Sequence, residues 1–219
     1  ERWKTGCHDC LMKGEYPKSL FDRSRKNWEL KKSLFAGCKN LSVVACSDWI
    51  ADFVRESFLK DKRIITIHNG VDLSLFNPQS KTESKKYKII AVSSPWYPAK
   101  GELDIYKLRS ILSDEDFEII MVGLSANQMK KLPLGIRGIQ RTQNVTELAK
   151  LYSDSDVLIN PTYADTFPTV NLEALACGTP VITYRTGGSP EAVDEKTGIV
   201  VEQGDIDALA DAIRKMKEQ

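Results

Sequence analysis

Between residues 80 and 219, short runs of isoleucine and valine alternate with stretches whose apolar positions recur at helical spacing. The runs are "KIIAVS", "FEIIMVG", "IRGIQ", "DVLINP", "PVITY" and "GIVVE". Residues 101–113, 126–131, 144–153, 168–177 and 189–194 read as helices between them, and "DIDALADAIRKMKEQ" as a last helix. β-Branched runs without polar alternation are the strands of a parallel sheet covered on both faces. The pattern predicts an α/β fold, a doubly wound Rossmann-like parallel sheet.

The first third reads differently. Residues 1–23 show no periodicity and read as loop, and "RKNWELKKSLF" as a short helix. "LSVVACS" and "RIITIHNG" are strand candidates on either side of "DWIADFVRESFLK", whose Ile50, Phe53, Val54 and Phe58 follow helical spacing behind a Ser47 cap. "NGVDLSLFNPQSKTESKKYK" breaks the pattern with Gly70, Pro78 and a polar run. This predicts two domains, residues 1–70 holding a strand–helix–strand unit and residues 71–219 holding the sheet.

Composition narrows the classes. The 219 residues are 42% apolar and 28% charged with a net charge of +1, so no global field points to nucleic acid. Residues 1–40 carry ten Lys/Arg against five Asp/Glu. These are scattered, which suits a solvated surface better than a face for a membrane or an anionic substrate. No apolar run approaches the roughly 20 residues of a spanning helix, and no signal-peptide pattern is present. The first residue is not Met, so a processed or excised chain is expected. Five cysteines without a disulfide framework suit a reducing cytosol. Cys7 and Cys10 enclose His8 and Asp9, but a zinc site needs further ligands, so loop cysteines or half a site is the reading here.

The chemistry concentrates in "ADTFPTVNLEALACGTPV". Asp165 falls in the loop leaving a strand, Pro168 suits a first helical turn behind a Thr166 or Phe167 cap, and Gly178 suits the end. A helix starting at the carboxyl edge of such a sheet offers backbone donors, here Thr169 and Val170, to an anion such as phosphate. Glu173 leans back over the same turn, while Leu172, Leu175 and Ala176 are expected to face the core. Two acids beside a phosphate suit hydroxyl groups on either side of it, as in a nucleotide sugar. The same spacing also suits an ordinary turn aspartate and a solvated helix glutamate.

"NPTYADTFPTVNLEALACGTPVITYRTGGSPEAV" resembles the signature of the family 4 retaining glycosyltransferases of GT-B fold, with Asp165 in place of the usual first Glu. "HNGVDLSLFNP" resembles that family's interdomain segment and "YPAKG" its Lys-Gly element; the whole looks most like members that build bacterial surface polysaccharides or capsule. The resemblance implies that residues 71–219 are the C-terminal, nucleotide-sugar-binding domain and residues 1–70 a remnant of the N-terminal acceptor domain. It implies catalytic roles for Glu173 on the ribose hydroxyls, Asp165 on the donor sugar and Lys100 on the diphosphate leaving group. Phe167, Thr169 and Val170 would line the phosphate site. Gly187 and Gly188, before Ser189-Pro190, read first as a turn and helix cap and second as the floor of the sugar pocket. Arg141, with Thr142 and Gln143 after the third strand of the sheet, is placed by position alone to meet the nucleotide base. No cofactor and no catalytic metal are implied; the donor is a substrate. The expected partners are a nucleotide-diphosphate sugar, a saccharide or lipid-linked acceptor and the missing N-terminal domain, with no nucleic acid. The expected location is cytoplasmic, with peripheral contact at the inner face of the membrane.

One departure stands out. The family carries an Arg about five residues before the Lys, and this chain has Pro95 there. Arg185, Arg141 or another segment must supply that charge, or phosphate binding is weak. Trp96 is read as packing or as stacking on a ligand, and His68 as a hinge residue. A chain with so little of the acceptor half is expected to bind nucleotide and transfer little sugar. The competing class is a non-catalytic nucleotide-binding or scaffold module of the same fold. A dehydrogenase is disfavoured because no G-x-G-x-x-G follows a first strand.

Overall fold

The computed structural model describes residues 2–11, 14 and 18–218. The chain falls into two compact units, Glu1–His68 and Asn69–Gln219.

In the first unit, helix α1 (Ser24–Ala36) precedes strand β1 (Ser42–Ala45), helix α2 (Asp48–Arg55) and strand β2 (Arg63–Thr66). The strands pair in parallel, Ser42 opposite Arg63 through Ala45 opposite Thr66. Ser47 caps α2 as expected, its Oγ accepting the Ile50 N–H at 3.2 Å. The helix stops at Arg55, short of the predicted residue 60, because the Ser57 hydroxyl donates back to the Val54 carbonyl and accepts the Leu59 N–H, turning the chain. Trp49 and Phe53 meet edge-on at 4.6 Å, and the Trp28 indole donates to the Trp3 carbonyl.

The second unit is the predicted doubly wound sheet. Strands β3 (Tyr87–Val92), β4 (Phe117–Val122), β5 (Ile136–Ile139), β6 (Val157–Asn160), β7 (Val181–Tyr184) and β8 (Gly198–Val201) are all parallel. Helices α3 (Glu102–Ile111), α4 (Ala126–Lys130), α5 (Val145–Ser153), α6 (Thr169–Ala176) and α7 (Ile206–Lys217) connect and close them. The spatial order is β5-β4-β3-β6-β7-β8, so the chain builds outward from β3 in one direction and then returns to build outward in the other.

Alternation within each strand sends side chains to two cores. Ile89, Ala91, Ile119, Met121, Val157 and Ile159 join α3 and α7 in one; Ile90, Ile120, Val122 and Leu158 join α5 and α6 in the other. Strands buried on both faces cannot show polar alternation, which is why the sequence runs were so uniformly apolar. The β3–β4 register holds six pairs, whereas β3 and β6 share two, Ile89 with Val157 and Ile90 with Leu158. Residues 189–194, predicted as an α-helix, form a 3-10 turn over Ser189–Ala192. Among the described residues, no helix is long and apolar enough to cross a membrane.

Candidate functional site

The strand order reverses between β3 and β6, and the carboxyl ends of strands at such a reversal diverge into a crevice. A cleft of about 260 Å³ opens there. Val92, Ser93 and Ser94 line it from the end of β3, Asn160 from the end of β6, and Asp165 with Phe167 to Val170 from the following loop and helix start; Trp96 and Lys100 complete it.

Lys100 reaches the cleft from a 3-10 turn, Pro98–Lys100, closed by the Lys100 N–H to the Tyr97 carbonyl at 2.8 Å. Gly101 then takes a left-handed φ of 74° and starts α3. A Cβ at Gly101 would lie 2.1 Å from the Pro161 carbonyl oxygen, so only glycine lets this turn rest on the loop after β6. Two bonds lock that contact: the Tyr163 N–H and the Thr162 hydroxyl both donate to the Ala99 carbonyl, at 2.8 and 3.2 Å. With the segments so joined, Lys100 Nζ donates to Asp165 Oδ2 at 2.5 Å.

Asp165 is held at both ends. Its Oδ1 accepts the Phe167 N–H at 3.3 Å, and its backbone carbonyl accepts the Gly188 N–H at 3.2 Å. Gly187, at φ 56°, would place a Cβ 1.9 Å from that carbonyl oxygen. Gly187 and Gly188 therefore seat the backbone of Asp165 and do not line the cleft themselves. Beneath them runs a buried polar chain: Asn160 Nδ2 donates to Asn171 Oδ1 at 2.9 Å, Asn171 Nδ2 donates to the Ser189 carbonyl and hydroxyl, and the Ser189 and Thr183 hydroxyls meet at 2.6 Å. It ties β6, α6, β7 and the Ser189–Ala192 turn into one rigid support.

The predicted start of α6 needs correction. Pro168 occupies the cap position, with φ −71° and ψ 117°, and Thr169 is the first helical residue; neither Thr166 nor Phe167 is the cap. No side chain caps the helix. The N–H groups of Thr169 and Val170, which have no carbonyl one turn earlier, thus stay available beside the cleft that both residues line. The buried face of α6 is centred on other residues than the three expected to face the core. Asn171 and Ala174 are buried, while Leu172, Leu175 and Ala176 are half-buried, with Leu175 packed at the core's margin. Apolarity alone favoured the leucines; the polar chain under the cleft brings Asn171 inward instead.

Glu173 sits on the second turn of α6, half-buried and beyond the residues that line the cleft. Its Oε2 accepts the Tyr152 hydroxyl at 2.9 Å. Burial first, then the Glu173 charge, pushes the Tyr152 phenol well above its usual range, so the proton stays on the tyrosine.

The two arginines considered for the diphosphate lie elsewhere. Arg141 is exposed after β5, the outermost strand on its side, and Arg185 pairs with Glu202 at 2.7 Å; neither lines the cleft. Among the described residues, Lys100 is the one cation lining it. Pro95 is exposed, and Trp96 is buried with its indole N–H donating to the Val122 carbonyl, so its packing is explained without a ligand. Cys7 and Cys10 are half-buried free thiols.

Sequence reasoning missed Asp104. This carboxylate is 4% exposed on α3, and its Oδ2 accepts the hydroxyls of Tyr163 at 2.7 Å and Tyr184 at 2.9 Å. That bond, then burial, moves the Tyr163 phenol up to about 12. The contact fixes the Tyr163 side of the loop whose backbone is already tied to Ala99. No local pattern marked this acid, because its partners are 59 and 80 residues distant.

Comparison with known proteins places the sheet unit in a family. Residues 87–219 match the family model described as glycosyl transferases group 1. The D-inositol 3-phosphate glycosyltransferase of Mycobacterium marinum is 32% identical over 171 residues, covering 69% of this chain and 36% of the relative. That of Mycobacterium tuberculosis is 31% identical over 169 residues, with 69% and 35% covered. The chain thus spans about a third of these relatives' length. Among solved structures, sucrose-phosphate synthase from Thermosynechococcus elongatus superposes with a TM-score of 0.76 at 23% identity, over 91% of this chain and 54% of that one. Anabaena HepE in complex with UDP-glucose gives 0.71 at 19% identity, over 88% and 58%. These likenesses establish the fold, an α/β domain matching the C-terminal domains of GT-B glycosyltransferases. The family match rests on the sheet domain that carries the cleft: this chain belongs to the glycosyl transferases group 1 family.

Proposed function

We propose that the chain carries the donor-binding half of a nucleotide-sugar-dependent glycosyltransferase of the retaining, family 4 type. The carrying observation is the convergence of Lys100 and the uncapped start of α6 on one cleft at the strand-order reversal. A diphosphate there meets an ammonium and free N–H groups, both of which favour negative charge. Charge builds on the nucleoside diphosphate as it leaves, so donors preorganised around it lower the barrier. Lys100 stabilises that charge and Asp165 takes hydroxyls of the donor sugar. Glu173, one turn further along α6, takes the ribose hydroxyls. In this reading no metal is required.

Residues 1–70 are read as part of an acceptor domain, the remainder of which the activity requires; the isolated chain binds donor and transfers little sugar. The acceptor is read as a growing surface polysaccharide or glycolipid, handled at the cytoplasmic face of the membrane. HepE was solved with UDP-glucose, which makes a uridine donor the first to test. A non-catalytic nucleotide-binding module is the second reading, favoured by exposed Pro95 where the family carries a second phosphate-binding cation.

Calorimetric titration with UDP, GDP and ADP tests the proposal. One of them should bind in the micromolar range, and Lys100→Ala should weaken it by about 1–3 kcal/mol, the worth of a charged hydrogen bond. Binding unaffected by that change would remove Lys100 from the site.

A further inference from the structure

Tyr152 lies on α5 with none of its surface exposed, its ring 6.3 Å from that of Phe76 and its backbone carbonyl accepting the Thr179 hydroxyl at 2.6 Å. Around it are Ile90, Leu158, Ala174 and Val181, an apolar environment that a phenylalanine would fill equally well. The hydroxyl is the one feature that packing does not explain, and it donates to Glu173 Oε2. Among the described residues Oε1 of Glu173 carries no hydrogen bond, and the side chain is half-buried.

We infer that Tyr152 is a positioning residue that fixes the Glu173 carboxylate for ligand hydroxyls, leaving Oε1 to receive them. The inference rests on the reading of Glu173 as the ribose-binding acid and adds the group that aims it. A glutamate has three rotatable bonds, and a ligand that must immobilise them binds more weakly. A phenol whose own position is set by the core removes that cost in advance. The service runs from Tyr152 to Glu173, because the tyrosine is held by its ring and backbone whether or not the carboxylate is there. The phenol also spends one acceptor oxygen of Glu173 on a neutral donor, so the remaining oxygen faces the ligand with a defined orientation.

The test titrates wild type, Tyr152→Phe, Glu173→Gln and the double variant with three probes. These are the nucleoside diphosphate that the wild type binds, its 2′,3′-dideoxy analogue, and pyrophosphate. In Tyr152→Phe the ribose-bearing ligand is expected to bind about tenfold more weakly, as for loss of one charge-assisted hydrogen bond. The dideoxy analogue and pyrophosphate should bind as before, and the change should add little to that of Glu173→Gln. Thermal melting checks that Tyr152→Phe keeps the wild-type transition. Should it not, the titrations are run below the variant's transition, where the same selective loss of ribose preference with pyrophosphate binding unchanged is still required. A wild-type preference retained in Tyr152→Phe overturns the inference, as does equal weakening of all three probes. Failure of the wild type to bind any nucleoside diphosphate is a different result, which overturns the donor-site reading and this inference with it.

Discussion

Lys100 and Asp165 stand 65 residues apart in sequence, and their charged groups meet at 2.5 Å with 23% and 16% of their side chains exposed. Each had been a candidate for a separate task, the lysine for phosphate and the aspartate for sugar. Their pairing means that a diphosphate entering the cleft competes with Asp165 for the Lys100 ammonium.

That competition has a sign. Asp165→Asn removes both the competing charge and a repulsive neighbour of the diphosphate, so pyrophosphate and nucleoside diphosphates should bind more tightly, by about 1 kcal/mol. Under the proposed function, sugar transfer should fall in the same variant. Titration with pyrophosphate decides the point: weaker binding by Asp165→Asn would show that the aspartate assists the phosphate site.

Asp104 is expected to matter for stability more than any exposed acid. Asp104→Ala leaves two hydroxyls without their acceptor, one of them on Tyr184, which is wholly buried. A loss of about 2–4 kcal/mol follows. Tyr184→Phe, which removes one bond, should cost about 1 kcal/mol, and Tyr163→Phe less, because Tyr163 is 39% exposed. Urea melts of the three variants give the order.

Gly101 and Gly187 each rest on the loop that carries Asp165, one on Pro161 and the other on Asp165 itself. Alanine at either position meets a backbone oxygen, at 2.1 Å from Pro161 and 1.9 Å from Asp165, in addition to a left-handed φ. Each change should destabilise by about 1–3 kcal/mol through strain alone. Both should also lower nucleotide affinity, since Lys100 and Asp165 ride on the displaced segments. Melting followed by titration at a temperature where the variants are folded separates the two losses.

Tyrosine ionisation sets an alkaline limit. Burial, then the Asp156 charge, moves the Tyr87 phenol up to about 12; Tyr163 is also pushed up to about 12, while burial and the Asp104 bond raise Tyr184 further. Phenols of the unfolded chain ionise near pH ~10, while these stay protonated in the fold. Below that pH neither state loses protons and the stability is whole. Above it the unfolded chain binds fewer protons, so stability falls as pH rises toward the folded values. Melts between neutral pH and pH ~11 should show the decline, and it should be shallower in Tyr184→Phe.

Much of the fold was legible in the sequence because the central strands are apolar on both faces; "KIIAVS" and "FEIIMVG" became β3 and β4 almost to the residue. The cleft was legible as a stretch, residues 165–170, because Pro168 and the apolar helix after it mark a helix start at a strand's carboxyl end. What was not legible depends on distance along the chain. Asp104 reads as one more helix-surface acid until Tyr163 and Tyr184 fold onto it. Tyr152 reads as a core aromatic until Glu173 arrives. Arg141 was placed near the ligand by following a strand end, but β5 is an edge strand two positions from β3. Strand order, which a single chain's periodicity does not encode, decides which strand ends share a crevice.

The two-pair register between β3 and β6 has a further meaning. Each half-sheet is woven from one uninterrupted stretch of chain, and the cleft lies along the seam between them, past the last stitched pair. Among the described residues, the side chains of Ser93, Ser94 and Thr169 there join no two strands; the Ser93 hydroxyl donates locally, to the Pro95 carbonyl at 3.0 Å. Substitutions at Ser93, Ser94 or Thr169 should therefore change what the cleft accepts while leaving the melting temperature within a few degrees, as surface changes usually do. A fold so arranged is free to change what its cleft accepts without unpicking its own fabric.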